Sequence, residues 1–148
     1  MLKFISDISK DELKNKKILL RVDFDVPIID GKIIEDFRIK AHKETIEYLL
    51  NNGAKIMLVS HLGHEVSDVS FFPIVEQIGE VLGQTITLVP HSELSEVGKL
   101  FEVADVFLLD NIRQDKREAE NDDKLALSLS KDFDYYVNDD FATAHRKH

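Results

Sequence analysis

KILLRV, residues 17–22, is a short run of mostly branched apolar side chains that ends at Asp23. Four similar runs follow it along the chain: KIMLV at 55–59, TITLV at 85–89, VFLL at 106–109 and YYV at 135–137. Short continuous apolar runs are typical of strands that are buried on both faces, as in a parallel sheet. The pattern therefore predicts five strands, with KILLRV as the first.

Longer stretches with apolar residues near helical spacing separate these strands and predict helices. They cover residues 36–52, 73–82, 92–102 and 123–130. Gly53 stands where a glycine commonly ends a helix, and Asp30-Gly31, flanked by isoleucine pairs, predicts a small hairpin. Strand-helix alternation predicts an α/β fold, a three-layer α/β/α Rossmann-like domain with a mostly parallel sheet.

Composition narrows the classes of function. The chain has 148 residues, of which 43% are hydrophobic and 32% charged, and it has no cysteine. A net charge of -9, from 28 acidic and 19 basic residues, argues against a nucleic-acid partner. No apolar run approaches the length of a membrane span, and no signal peptide is evident. We expect a cytoplasmic protein with no membrane partner.

Polar residues cluster just after the predicted strands. In parallel sheets of this class, ligands bind beyond the carboxyl ends of the strands. The segments at those ends are 23–25, 60–64, 90–91, 110–113 and 138–140. Most of them are richer in polar side chains than a hydrophobic core would be. The sequence therefore predicts a functional site along this edge of the sheet.

Three arginines and two histidines lie on or near this edge: Arg38, Arg113, Arg146, His61 and His64. A guanidinium presents a rigid fork that matches the oxygens of carboxylates and phosphates. Taken singly, each arginine also fits a surface ion pair, and each histidine a structural role.

The Asp23-x-Asp25 pair after the first strand allows a different interpretation. It resembles the start of a haloacid-dehalogenase-type phosphatase, with Asp23 as nucleophile and Asp25 as acid. Ser60 and the Asp139-Asp140 pair would then bind phosphate and magnesium. The lysine that such an enzyme needs has no clear candidate, and Asp23 alone could simply cap a turn.

Several longer segments together resemble one family much more closely. They are ILLRVDFDVP at 18–27, EDFRI at 35–39, GAKIMLVSHLG at 53–63, LLDNIR at 108–113 and YVNDDFATAHRKH at 136–148. In order and spacing they resemble the N-terminal domain of phosphoglycerate kinases.

The resemblance implies a phosphotransferase of glycolysis that uses a carboxyl group as acceptor. The family binds 3-phosphoglycerate on this domain and MgATP or MgADP on a second domain, whose glycine-rich segments are absent from these residues. It therefore implies that residues 1–148 form a substrate-binding domain that is incomplete at its C-terminal end. We expect this chain to bind no cofactor or metal, to be inactive alone, and to be a monomer unless its truncated edge drives self-association.

The resemblance also implies a role for individual residues. Asp23 would hydrogen-bond the substrate hydroxyl. Arg38 would face the carboxylate and act catalytically by steadying the transferred phosphoryl group. His61, Arg113 and Arg146 would bind the phosphate and its surroundings.

Four positions depart from the family pattern. Asp25 replaces an asparagine, His64 an arginine, Glu65 a proline and Asp140 a small residue. We keep Asp25 and His64 in the predicted substrate-binding set, but each change makes the site less positive. A weaker substrate site is expected, and a non-catalytic binding or interaction module derived from the family is the alternative function.

Overall fold

A parallel sheet forms the centre of this protein, whose computed structural model describes residues 2–3, 8–63, 69–112 and 131–139. The strands in those ranges are β1 (Leu2–Lys3), β2 (Lys17–Arg21), β3 (Ile28–Ile29), β4 (Lys32–Ile33), β5 (Lys55–Val59), β6 (Thr87–Val89), β7 (Val106–Leu109) and β8 (Tyr135–Asn138). Six of them make the sheet, in the order β1-β8-β2-β5-β7-β6, and all neighbours in it run parallel. The predicted fold class is confirmed.

Helices connect the strands. In the described ranges they are α1 (Lys10–Leu13), α2 (Phe37–Lys40), α3 (Lys43–Asn51), α4 (Val75–Leu82), a 3-10 helix (His91–Glu96) and α5 (Val97–Leu100). Helix α3 ends just before Gly53, whose φ of +85° suits glycine and confirms its predicted place. No helix in these ranges combines the length and apolar composition that a membrane crossing requires.

Strand side chains alternate between two hydrophobic cores, one on each face of the sheet. Ile18 and Leu20 of β2 pack in the core that receives residues from α1 to α4. Leu19 points the other way, into the core that includes Val97 and Phe101. This alternation explains why the consecutive residues 18–20 are all apolar, since both faces of β2 are covered there.

The predicted hairpin is present as β3 and β4. Asp30 and Gly31 both have positive φ, +52° and +76°, as a tight two-residue turn requires. The side chain of Gln77 on α4 accepts the N–H of Ile33 at 3.0 Å and donates to the carbonyl of Gly31 at 2.8 Å. The hairpin is therefore fastened to the domain.

Some boundaries differ from the predictions. The single helix predicted over 36–52 is divided between α2 and α3, and the break falls at residues 41–42. The helix predicted over 92–102 begins as a 3-10 helix, and the strand predicted over 85–89 is shorter. Strand β1 was not predicted because its two residues are too few to show a period. The helix predicted over 123–130 lies outside the described residues.

The parallel order of the strands determines where the candidate site lies. Strands β2, β5, β7 and β8 all end at one edge of the sheet, which we call the carboxyl edge. Beyond the last residue of β2, the N–H of Val22 still donates to the carbonyl of Val59 at 2.9 Å. The backbone then leaves the sheet at Asp23, where side chains take over as hydrogen-bond partners.

Candidate functional site at the carboxyl edge of the sheet

Side chains hold the backbone immediately after β2. The N–H of Asp23 donates to Nε2 of His42 at 2.9 Å, and the N–H of Phe24 donates to Oγ of Ser60 at 2.8 Å. The N–H of Asp25 donates to Oδ1 of Asp23 at 3.1 Å, so Asp23 does cap its own turn. Three consecutive amide groups that lack sheet partners are thus satisfied, which fixes this loop.

Four predicted site residues meet around this loop, and we call Asp23, Asp25, Arg38 and His61 the strand-end cluster. Nη1 of Arg38 donates to the carbonyl of Asp25 at 2.8 Å and lies 3.6 Å from Oδ2 of Asp23. Nε2 of His61 lies 3.5 Å from Oδ2 of Asp25. The N–H of Gly63 donates to Oδ1 of Asp25 at 3.1 Å. The four side chains are 19–43% exposed, so solvent and ligands can reach them.

Arg38 keeps donors available for a ligand. It projects from α2, and only its Nη1 has an acceptor among the residues that the structure describes. Nε and Nη2 have none within those ranges. A guanidinium that is held through Nη1, with Nε and Nη2 unpaired among the described residues, is well arranged to bind an oxyanion.

A cleft of about 420 Å³ lies against Arg38. Its walls are Asp25, Val26, Pro27, Glu35, Phe37 and Arg38. The half-exposed ring of Phe37 gives this cleft an apolar side next to the guanidinium. Its charges are mixed, because Asp25 and Glu35 oppose the single positive charge of Arg38.

Other polar residues at the same edge serve structure. Asn111 is fully buried; its Oδ1 accepts the N–H of Leu62 and its Nδ2 donates to the carbonyls of Leu62 and Val69, each at 2.9 Å. Asp110 accepts the N–H of Phe71 at 2.8 Å and the hydroxyl of Ser70 at 2.7 Å. These contacts fasten the segments on both sides of residues 64–68 to the end of β7.

A second group at the edge is buried, and the sequence did not predict two of its members, His42 and Thr45, whereas Asp139 was named only for the phosphatase alternative. We call His42, Thr45 and Asp139 the buried node. Nδ1 of His42 lies 2.6 Å from Oδ2 of Asp139, and the hydroxyl of Thr45 donates to Oδ1 of Asp139 at 3.1 Å. A signal was available, because His42 shares the helical spacing of Ile39 and Ile46, which both face the core. A polar ring on that face needs buried partners.

Three predicted site residues, His64, Arg113 and Arg146, lie outside the described residues, and so does Asp140. The structure therefore brings together four of the seven predicted residues. Their roles in binding a ligand stay predictions.

The phosphatase alternative loses two of its proposed ligands, Ser60 and Asp139, whereas Asp140 lies outside the described residues. Oγ of Ser60 is buried between the N–H of Phe24 and the carbonyl of His61. Asp139 is 1% exposed and holds His42. Neither side chain is available for phosphate or magnesium, and within the described ranges no group of three or more His, Asp or Glu side chains is arranged to hold a metal ion.

Fold and site together define a class: a Rossmann-like α/β domain with a cleft at the carboxyl ends of its strands. The family model for phosphoglycerate kinase matches residues 5–148. The chain therefore belongs to the phosphoglycerate kinase family, as its sequence segments predict.

Individual proteins that are similar to this chain support the family assignment. The phosphoglycerate kinase of Borrelia duttonii is 40% identical over 97% of this chain, and that of Lactobacillus delbrueckii is 43% identical over 95%. The crystal structure of phosphoglycerate kinase from Pyrococcus horikoshii superposes on 96% of the chain with a TM-score of 0.76 and 32% identity. The chain spans 37–39% of the length of these relatives.

Proposed function

We propose that these 148 residues bind 3-phosphoglycerate, the acceptor substrate of phosphoglycerate kinase, at the strand-end cluster. The observation that carries the proposal is the position of Arg38. Its guanidinium is anchored through Nη1 beside Asp23 and borders a cleft large enough for a small phospho-acid. Family membership supports this choice of ligand.

The chemistry of the ligand fits a guanidinium. 3-Phosphoglycerate carries a carboxylate and a phosphate monoester, and the phosphate alone contributes roughly -1.5 to -2 charges near neutral pH. Arg38 would bind the carboxylate through its open edge. Asp23 would accept a hydrogen bond from the ligand hydroxyl through Oδ2, since Oδ1 is already bonded to the N–H of Asp25.

Further positive charge must come from beyond Arg38. The strand-end cluster contains two carboxylates and one guanidinium, together with His61. We assign the additional cations to Arg113 and Arg146, with His64 as a further contact, on the strength of the family resemblance. Phosphoryl transfer to a carboxylate depends chiefly on positioning and charge neutralisation, so a rigid cationic site is what the reaction needs from this part of the enzyme.

We propose that transfer itself requires more than these residues. They span 37–39% of the relatives' length, and MgATP or MgADP would be bound by the complete enzyme. These residues alone are expected to bind the acceptor without turning it over. A cytoplasmic, monomeric state remains a prediction.

Calorimetric titration of the chain with 3-phosphoglycerate tests the proposal. Removing a hydrogen bond between charged groups costs about 1.5–3 kcal/mol, so Arg38→Ala should weaken binding about tenfold or more. Lys40→Ala is the matched control. Lys40 lies on the same helix and carries the same charge, but it pairs with Asp36 at 3.3 Å and is largely exposed.

The Lys40→Ala variant should bind within about twofold of the unmodified chain, in keeping with the small worth of surface pairs. Equal affinities for Arg38→Ala and the unmodified chain would contradict the proposal. A coupled assay with MgATP on the same samples should show no turnover.

The alternative is a non-catalytic binding or interaction module. One observation favours it: Oδ2 of Asp25 faces His61, and Oδ1 takes the N–H of Gly63, so a carboxylate of the protein already occupies donors that an anionic ligand could use. Absence of 3-phosphoglycerate binding by the unmodified chain would favour this alternative.

A further inference from the structure

His42 is a buried histidine that does not line the cleft beside Arg38. It lies at the break between α2 and α3 and is 0% exposed. Both of its ring nitrogens have partners: Nε2 accepts the N–H of Asp23 at 2.9 Å, and Nδ1 lies 2.6 Å from Oδ2 of Asp139. The ring thus links Asp139, just after β8, to Asp23, two residues after the end of β2.

The hydrogen-bond partners of His42 determine which nitrogen of its imidazole ring carries the proton. A backbone N–H can only donate, so Nε2 must be the unprotonated nitrogen. The single ring proton is then on Nδ1 and is donated to Asp139. A proton on both nitrogens would place two donors face to face at Asp23. The site therefore requires the neutral Nδ1–H tautomer of His42.

The ring is held firmly in this orientation. Thr45, one turn along α3, donates to the second oxygen of Asp139 at 3.1 Å, so both carboxylate oxygens have a donor. The ring of Phe24 meets the imidazole edge-on, with centroids 5.8 Å apart and an interplanar angle of 69°. Rotation of His42 would break contacts on three sides.

His42 affects the ligand site through its hydrogen bond to the backbone of Asp23. His42 takes its N–H, and Oδ1 of Asp23 takes the N–H of Asp25. Its remaining oxygen, Oδ2, is thereby directed toward Arg38 at 3.6 Å. No sheet bond performs this task, because the ladder between β2 and its neighbours ends before Asp23.

We propose that His42 is a positioning residue for the acceptor-binding site, and that it acts through the backbone of Asp23 with Asp139 fixing its tautomer. The inference rests on the proposed function, since it names what holds one of the ligand's contacts in place. His42 does not touch the ligand. It determines where the carboxylate of Asp23 lies relative to Arg38.

Two amide variants separate the two contacts of His42. Glutamine can place its carbonyl oxygen near the position of Nε2, so His42→Gln keeps an acceptor for Asp23. Asparagine can place its amide near Nδ1, so His42→Asn keeps a donor for Asp139 and loses the acceptor. His42→Ala removes both.

Calorimetry with 3-phosphoglycerate on the full chain should give His42→Gln an affinity close to that of the unmodified chain. His42→Asn and His42→Ala should both bind more weakly, by about tenfold, the factor expected when the hydrogen bond between the ligand hydroxyl and the charged carboxylate of Asp23 is misplaced. Urea unfolding of the same variants measures their free energies of unfolding. If His42 had a merely structural role, the affinity of each variant would fall in step with its stability. The inference is overturned if affinity follows stability and does not depend on whether the variant keeps an acceptor at the position of Nε2. It is also overturned if folded His42→Asn binds 3-phosphoglycerate normally.

A spectroscopic measurement on the unmodified chain needs neither ligand nor variant. An N–H···N hydrogen bond transmits a scalar coupling between the two nitrogens, so ¹⁵N NMR should detect one between the amide of Asp23 and Nε2 of His42. The same spectra should show Nδ1 protonated. A protonated Nε2, or no coupling, overturns the inference even where the variants do not fold.

The two measurements keep the proposals apart. A chain that shows the coupling but does not bind 3-phosphoglycerate would refute the proposed function and, with it, the positioning role in binding, while the hydrogen bond itself would stand. A chain that binds 3-phosphoglycerate without the coupling would refute the role of His42 alone.

Discussion

The strand-end cluster and the buried node contain the same kind of side chain at the same edge of the sheet and use it differently. Asp139 in the node is 1% exposed, and a ring N–H and a hydroxyl donate to its two oxygens. Asp23 in the cluster is 26% exposed on its side chain, and its Oδ2 faces the guanidinium of Arg38 across 3.6 Å. Depth, more than residue type, separates the two roles.

The physical reason is desolvation. A buried polar group that loses its partner costs about 1–3 kcal/mol, because water cannot replace the bond. An exposed ion pair contributes about 0–1 kcal/mol, because water and salt screen it. Changes in the buried node should therefore lower the stability of the fold, whereas changes in the strand-end cluster should alter ligand binding and leave stability nearly unchanged.

The largest effect is expected for Asp139→Ala. It leaves the Nδ1–H of His42 and the hydroxyl of Thr45 buried without an acceptor, and the free energy of unfolding should fall by about 3 kcal/mol. Urea denaturation measures this directly. Asp105→Ala is the control, since Asp105 is 67% exposed on its side chain and pairs with Lys55. It should cost about 1 kcal/mol or less.

A loss for Asp139→Ala no greater than that for Asp105→Ala would remove the distinction between the two regions.

A smaller effect is expected for Ser60→Ala. Ser60 is fully buried, and its Oγ accepts the N–H of Phe24 at 2.8 Å, directly beneath the cluster. Losing this acceptor should lower the free energy of unfolding by about 1–2 kcal/mol. Ser95→Ala, at an exposed position of the 3-10 helix, supplies the control and should be nearly neutral. Equal stabilities of the two variants would show that the loop after β2 does not depend on Ser60.

Asp25→Asn should strengthen binding of 3-phosphoglycerate. The change removes a negative charge from the wall of the cleft, and an asparagine oxygen can still accept the N–H of Gly63. Relief of repulsion worth about 1 kcal/mol corresponds to an affinity gain of about fivefold. Calorimetry at fixed salt measures it. Weaker or unchanged binding would mean that Asp25 does not oppose the ligand.

The smallest effect is expected in the stability of Arg38→Ala. The guanidinium is 43% exposed on its side chain, so its loss should change the free energy of unfolding by about 0.5–1 kcal/mol at most. Urea denaturation of the sample used for calorimetry tests this. A loss as large as that of Asp139→Ala would mean that Arg38 stabilises the fold as the buried node does, and would contradict the distinction between the two regions.

Much of the fold could be predicted from local pattern. The apolar runs at 17–22, 55–59 and 106–109 predict strands buried on both faces, and they are found there. Asp30-Gly31 predicts the hairpin turn by its backbone preference. A strand of two residues, such as β1, carries no period and could not be predicted.

The candidate site was predictable in part. Placement of Asp23, Asp25 and His61 after two strands follows from the parallel order alone. The depth of Asp139 could not be predicted, because it depends on how α3 packs against β8, between residues 97 positions apart in sequence. His42 could be placed on a buried helix face, but its partners could not be named without that packing.

Amide NMR spectra of the chain during titration with 3-phosphoglycerate test the central claim most directly. We expect the largest chemical-shift changes at residues 23–25, 38 and 61–63, at the carboxyl edge, and unchanged shifts for amides at the opposite edge, such as Lys17 beside Asp134. Saturating ligand that leaves the carboxyl edge unchanged, or that shifts chiefly the opposite edge, would contradict it.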